Sequence, residues 1–176
     1  MFSRFKRQRQ LRQQADGVYV ALVAQARTPA FYVELAVPDS FDGRFELVVL
    51  HVYALTRGLA GRAAPMQELS RHVMEAMVDD LDRTLREIGV GDMSVGRKVK
   101  QMAAAFYGRA AAYDAGLAAG EQELRAAIAR NVYAGSPPED HVVSAIASYL
   151  RKAIETVART GDDSIMSGDI AFPVPD

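Results

Sequence analysis

Two long apolar stripes at helical spacing constrain this chain more than any other feature of its sequence. Across residues 94–118, Val95, Val99, Met102, Phe106, Ala110, Tyr113 and Leu117 recur three or four positions apart, while Lys98, Lys100, Gln101 and Arg109 fall largely off that line. A spacing of three and four puts one face of an α-helix on a core, so this segment reads as amphipathic, with Ser94 as its expected N-cap. Residues 65–88 repeat the pattern through Met66, Leu69, Val73, Met77, Leu81, Leu85 and Ile88. Pro65 suits a first helical turn and Gly89 a helix end.

The remaining segments point the same way. Ser136-Pro137-Pro138-Glu139 reads as a capping box, followed by Val142, Ile146, Tyr149, Leu150, Ile154 and Val157, with Gly161 as the stop. Residues 16–27 and 121–133 make two shorter helices. Residues 45–55 are rich in β-branched side chains and could be a buried strand, but no second strand candidate exists to pair with them, so they read as a central helix. Residues 162–176 lack a helical period and end in Phe172-Pro173-Val174-Pro175, which reads as extended. The expected fold is an all-α, single-domain helical bundle of about six helices. A basic N-terminal arm (1–14), a helical domain (15–161) and an extended C-terminal tail (162–176) divide the chain.

Composition excludes several function classes. With no cysteine, the chain can hold neither a thiolate nucleophile nor a Cys-based zinc or iron–sulfur site. A net charge of −1 is no electrostatic match for nucleic acid. The charge is uneven, however: Arg4, Lys6, Arg7, Arg9 and Arg12 meet no acid within residues 1–14, which leaves a basic arm on an acidic body. No run approaches the roughly 20 apolar residues of a membrane span. Residues 17–24 and Ala24-Gln25-Ala26 imitate a signal peptide, but the apolar run is short, so a first domain helix without cleavage is expected. Two readings of the arm are open. Phe2, Phe5 and Leu11 among the five cations could form an interfacial helix on anionic lipid; alternatively the arm is a solvated terminus.

Candidate chemistry is thin. Asp79, Asp80 and Asp82 could hold a metal only with ligands from other helices, and no Glu-x-x-His or His-Glu-x-x-His pattern supplies them. Pairing of Asp79 with Arg83 and of Asp82 with Arg86 at i,i+4 explains them instead. His51, His72 and His141 show no ligand spacing, and His51 reads as a satisfied core or pocket residue. No serine lies in a G-x-S-x-G elbow and no phosphate loop occurs. Gly96, Gly108 and Gly116 read as close-approach points for neighbouring helices. No enzyme activity, metal or cofactor is expected.

Three stretches carry a resemblance. They are Gln25-Ala26-Arg27 with Phe31-Tyr32; Val37-Pro38-Asp39-Ser40-Phe41-Asp42-Gly43-Arg44-Phe45 leading to Leu50-His51; and Asp79-Asp80-Leu81-Asp82 through Leu85-Arg86-Glu87-Ile88-Gly89-Val90-Gly91-Asp92, Lys98-Val99-Lys100 and Phe106-Tyr107-Gly108-Arg109 to Tyr113-Asp114. Their order and spacing over residues 16–135 resemble the ubiquinol–cytochrome c chaperone family.

The resemblance implies a helical assembly chaperone that assists incorporation of cytochrome b, or another subunit, into the ubiquinol–cytochrome c reductase. It implies no catalytic residues. Its matching polar positions, Tyr32, Asp39, Asp42, Arg44, His51, Asp80, Asp82, Arg86, Lys100, Tyr107 and Arg109, are candidates for partner contact. Structural roles compete for some: Asp39 and Asp42 as caps of the central helix, Arg44 as their ion-pair partner, Tyr107 as core. One mechanism has the acidic body hold positive flanks of the client while Phe2, Arg4, Phe5, Lys6, Arg7, Arg9 and Arg12 keep the complex peripheral on the inner face of the cytoplasmic membrane. The alternative is a helical binding module for a small hydrophobic ligand, a quinone or lipid. A metal-dependent hydrolase would need Asp39, Asp42, Asp80 and Asp82 to converge.

Overall fold

A computed structural model describes residues 2–175, with side chains described from residue 6 onward. Among the described residues eight helices follow one another: α1 (Phe2–Ala26), α2 (Ala30–Val33), α3 (Phe41–Gly58), α4 (Ala64–Glu87), α5 (Asp92–Ala119), α6 (Glu121–Asn131), α7 (Asp140–Arg159) and α8 (Asp162–Met166). Six are long and two are single turns, so the fold is the expected all-α, single-domain bundle with α2 and α8 added.

The ambiguous segment is the bundle's central helix. Residues 45–55 lie in α3 and are buried almost throughout, because α7, α1, α4 and α5 surround them. This explains the unbroken apolar run: a helix covered on every side needs no polar face. Ser40 caps it, its hydroxyl accepting from the Gly43 amide at 3.1 Å. That cap turn brings Gly43 against Pro38, where a Cβ would lie 1.9 Å from the Pro38 carbonyl oxygen, so only glycine fits. The α4 stripe is buried from Met66 to Leu85, Pro65 sits in the first turn, and Gly89 turns the chain at φ +87°.

Two helix starts differ from expectation. α5 begins at Asp92, because the Gly91 carbonyl already accepts the Ser94 and Val95 amides; Ser94 is inside the helix and caps nothing. α7 begins at Asp140 with no side-chain cap. The residue before a proline is pushed out of the α region, so Ser136 and Pro137 cannot start the helix.

Both termini also differ. Residues 2–14 are the first half of α1 rather than a separate arm, and Leu11 is buried beside α4. The segment that imitates a signal peptide continues this helix, with Val18, Leu22 and Ala26 in the core. The tail opens with α8, whose Ile165 is buried, and then runs back over the bundle, where Phe172 reaches His51 and the Pro173 carbonyl accepts from Gln25 Nε2 at 3.4 Å.

Of the three glycines expected at close approaches, only Gly116 is one. A Cβ there would meet the Leu124 Cα at 2.7 Å, which fixes how tightly α5 folds back on α6. Gly96 and Gly108 face open space.

Candidate functional site

The start of α3, the middle of α5 and the end of α6 do not close on one another. Between them lies a groove of about 740 Å³. Its walls are apolar, formed by Pro38, Phe41, Phe45, Ile88, Met102 and Val132 among others. Two of these, Phe41 and Ile88, are large apolar side chains that stay exposed at the rim. A wet, apolar-walled recess with a few polar groups is the usual form of a binding site.

Its polar groups come from three helices. Glu46, only 5% exposed, receives the Arg109 guanidinium through both carboxylate oxygens, Arg109 Nε donating at 2.6 Å. The same guanidinium lies 5.7 Å from the centre of the Phe45 ring. Burial pushes the Glu46 carboxyl up from the usual carboxylate range, and the Arg109 pair opposes it. Asp42 sits on the rim, with Lys98 and Arg130 opposite. Asn131 Nδ2 and, behind it, the Tyr113 hydroxyl are shielded from solvent, and the Asn131 side chain acts on that hydroxyl as its hydrogen-bond partner.

Of the expected contact residues, the groove gathers Asp42 and Arg109. Lys100, on α5, is exposed, and so is Tyr107, 64% exposed and therefore not core. Asp39 pairs with Arg44 at 2.7 Å, and neither caps α3, a role taken by Ser40. The Tyr32 hydroxyl donates to the Ala26 carbonyl at 2.9 Å, tying α2 to the end of α1. His51 is wholly buried: Nδ1 meets the Leu47 carbonyl and Nε2 the Tyr149 hydroxyl, each at 2.7 Å.

The acidic face of α4 is internally engaged. Arg83 pairs with Asp80 at 2.5 Å instead of with Asp79, because the Asp80 carboxylate also accepts from the Tyr19 hydroxyl of α1 at 2.9 Å. Asp82 pairs with Arg86 as expected, and Arg86 also reaches Asp92. No group of three or more His, Asp or Glu side chains placed to hold a metal occurs among the described residues. Lys6, Arg7, Arg9 and Arg12 are exposed along α1, whereas the side chains of Phe2, Arg4 and Phe5 lie outside the described residues. No helix among the described residues is long and apolar enough to cross a membrane.

Glu46, Asn131 and Arg130 were not among the expected contacts. Glu46 had a signal, being the one carboxylate in an otherwise apolar stretch; Asn131 and Arg130 had none.

Comparison with known proteins extends the picture. The ubiquinol–cytochrome C chaperone family model matches residues 33–172, reaching into the tail that the sequence motifs did not cover. The frog (Xenopus laevis) ubiquinol-cytochrome-c reductase complex assembly factor 1 is 19% identical over 88% of this chain and 78% of its own length. Its human counterpart is 21% identical over 88% of this chain, which spans about half (52%) of that longer protein. The crystal structure of the Cbp3 homolog from Brucella abortus superposes with a TM-score of 0.83 at 30% identity, covering 98% of this chain and 96% of that one. With the fold, the helix order and a match over most of its length in agreement, this chain belongs to the ubiquinol–cytochrome c chaperone family.

Proposed function

We propose that this protein is a non-enzymatic assembly chaperone that binds cytochrome b, or another subunit of the ubiquinol–cytochrome c reductase, and assists assembly of that complex from the inner surface of the cytoplasmic membrane. The observation that carries the reading is an open groove with apolar side chains exposed at its rim, in a chain of a family whose relatives are named reductase assembly factors. A chaperone needs an exposed apolar surface that does not collapse on itself. Here the Glu46–Arg109 pair bridges α3 and α5 at the groove floor.

Membrane attachment is supported by α1. Lys6, Arg7, Arg9 and Arg12 are exposed on its first half, beside Arg71 of α4. Each cation near an anionic surface contributes about 1 kcal/mol, enough together for peripheral binding without a membrane span. Tyr32, Asp39, Arg44, Asp80, Asp82, Arg86, Lys100 and Tyr107 remain proposed contacts outside the groove.

Affinity purification of the tagged protein from gently solubilised membranes tests the reading. Cytochrome b should be enriched in an incompletely assembled form, and deletion of the gene should lower mature reductase. Recovery of no respiratory subunit would overturn it. The groove volume also suits a small amphiphile, and a quinone or lipid retained in a native mass spectrum would favour that second reading.

A further inference from the structure

The groove has a chemical preference as well as a shape. Lys98 and Arg130 face it and are exposed, and neither has an ion-pair partner among the described residues. Asp42 and Glu46 are the groove's carboxylates, and Glu46 is closed off by Arg109. Lys98 and Arg130 outnumber the remaining Asp42, so the charge left available is net positive.

This is the opposite polarity to that of the α4 face. Asp80 and Asp82 hold their charge against Arg83, Arg86 and Tyr19, so a cationic segment would have to displace bonds already made. An anionic segment entering the groove displaces none.

The rim separates a polymer from a small molecule. Phe41 is 37% and Ile88 60% exposed, both at the groove's edge. A compact ligand seated on the floor leaves them in water, whereas a polypeptide segment lying along α5 covers them. Burying apolar surface of that kind is the main drive for association.

We propose, resting on the chaperone reading above, that the α3–α5–α6 groove docks an apolar segment of a reductase subunit that carries a carboxylate, received by Lys98 and Arg130 at the rim. Apolar walls supply affinity and the two cations supply orientation, so the segment binds in one direction.

Photo-crosslinking from the full-length protein tests this. A benzophenone amino acid replaces Ile88 at the rim and, as a control, Val20, an apolar residue of α1 that is 66% exposed and away from the groove. After irradiation in intact membranes the adduct is sequenced by mass spectrometry. The expected adduct at position 88 is an apolar peptide of a reductase subunit containing Asp or Glu, absent at position 20. The charge reversal Lys98→Glu with Arg130→Glu should lower its yield about fivefold or more, while Lys98→Arg with Arg130→Lys keeps it. Both positions are exposed, so circular dichroism melting should match the parent for each pair.

A peptide lacking an acid, a lipid adduct, an adduct with a second copy of this chain, or a yield indifferent to charge reversal would overturn the proposal. Loss of the adduct with cytochrome b still copurifying would also overturn it and leave the chaperone reading standing. Absence of any reductase subunit from both measurements would remove the two together.

Discussion

Around His51 the polar atoms form a closed chain. Gln25 donates to the Tyr149 hydroxyl at 3.0 Å, that hydroxyl donates to His51 Nε2, and His51 Nδ1 donates to the Leu47 carbonyl. Phe31 and Phe172 pack edge-on about this chain, Phe31 4.9 Å from the Tyr149 ring and Phe172 5.5 Å from the imidazole. Beneath the α3–α5–α6 groove, by contrast, the Glu46–Arg109 pair forms the floor of a recess that no part of the described chain fills. Both regions lie on α3, about one and a half turns apart. One joins α1, α3, α7 and the tail into a finished core. The other is open to a second molecule. A satisfied polar group can therefore lie in a closed core or floor an open recess, and which it does depends on how the surrounding helices pack.

The comparison is sharpened most by Arg109→Ala. It leaves Glu46 buried without its counter-charge, and stability in urea at pH 7 should fall by about 3–5 kcal/mol. Adding Glu46→Leu should return part of that loss. Recovery of none would mean that the unpaired Glu46 charge is not the source of the loss.

The His51 region should be the acid-sensitive one. Burial lowers the imidazole from 6.5 to about 4, against the opposing Leu47 bond. The unfolded chain then binds the extra proton more readily, so this stability is complete above pH 6.5 and is lost as pH falls toward 4. Denaturant titrations should lose about 3 kcal/mol over that window, and His51→Gln should flatten the slope. An unchanged slope would mean that His51 is already charged or solvated.

Glycine substitutions separate α5's packed end from its open middle. Gly116→Ala should cost about 1–3 kcal/mol by pushing on the Leu124 backbone. Gly108→Ala meets nothing within 4 Å and should stabilise by roughly 0.5–1 kcal/mol through helix propensity. The smallest effect is expected at Asp82→Ala, an exposed pair on α4, where the thermal midpoint should hardly move.

Helical class, the central position of residues 45–55 and the register of the α4 and α5 stripes were determined by the sequence itself. The two stripes rest on local periodicity, which a reader of one strand of text can see, and the helix over 45–55 on the absence of a second strand to pair with it. Membership of the family was legible for a similar reason, since its motifs are contiguous. In sequence, residues 2–14 admit both an interfacial helix and a solvated terminus, and the helix stands with Leu11 packed beside α4. The true partners of the charges were not legible. Asp79 lies four positions before Arg83 and Asp80 three, and the pair forms with Asp80, which also accepts from Tyr19 of another helix. Glu46 meets Arg109 across 63 positions, and His51 meets Tyr149 across 98. Whether a buried polar group finds its partner is a property of how helices stack, and only the tertiary structure decided that His51 lies in a closed core while Glu46 and Arg109 floor an open groove.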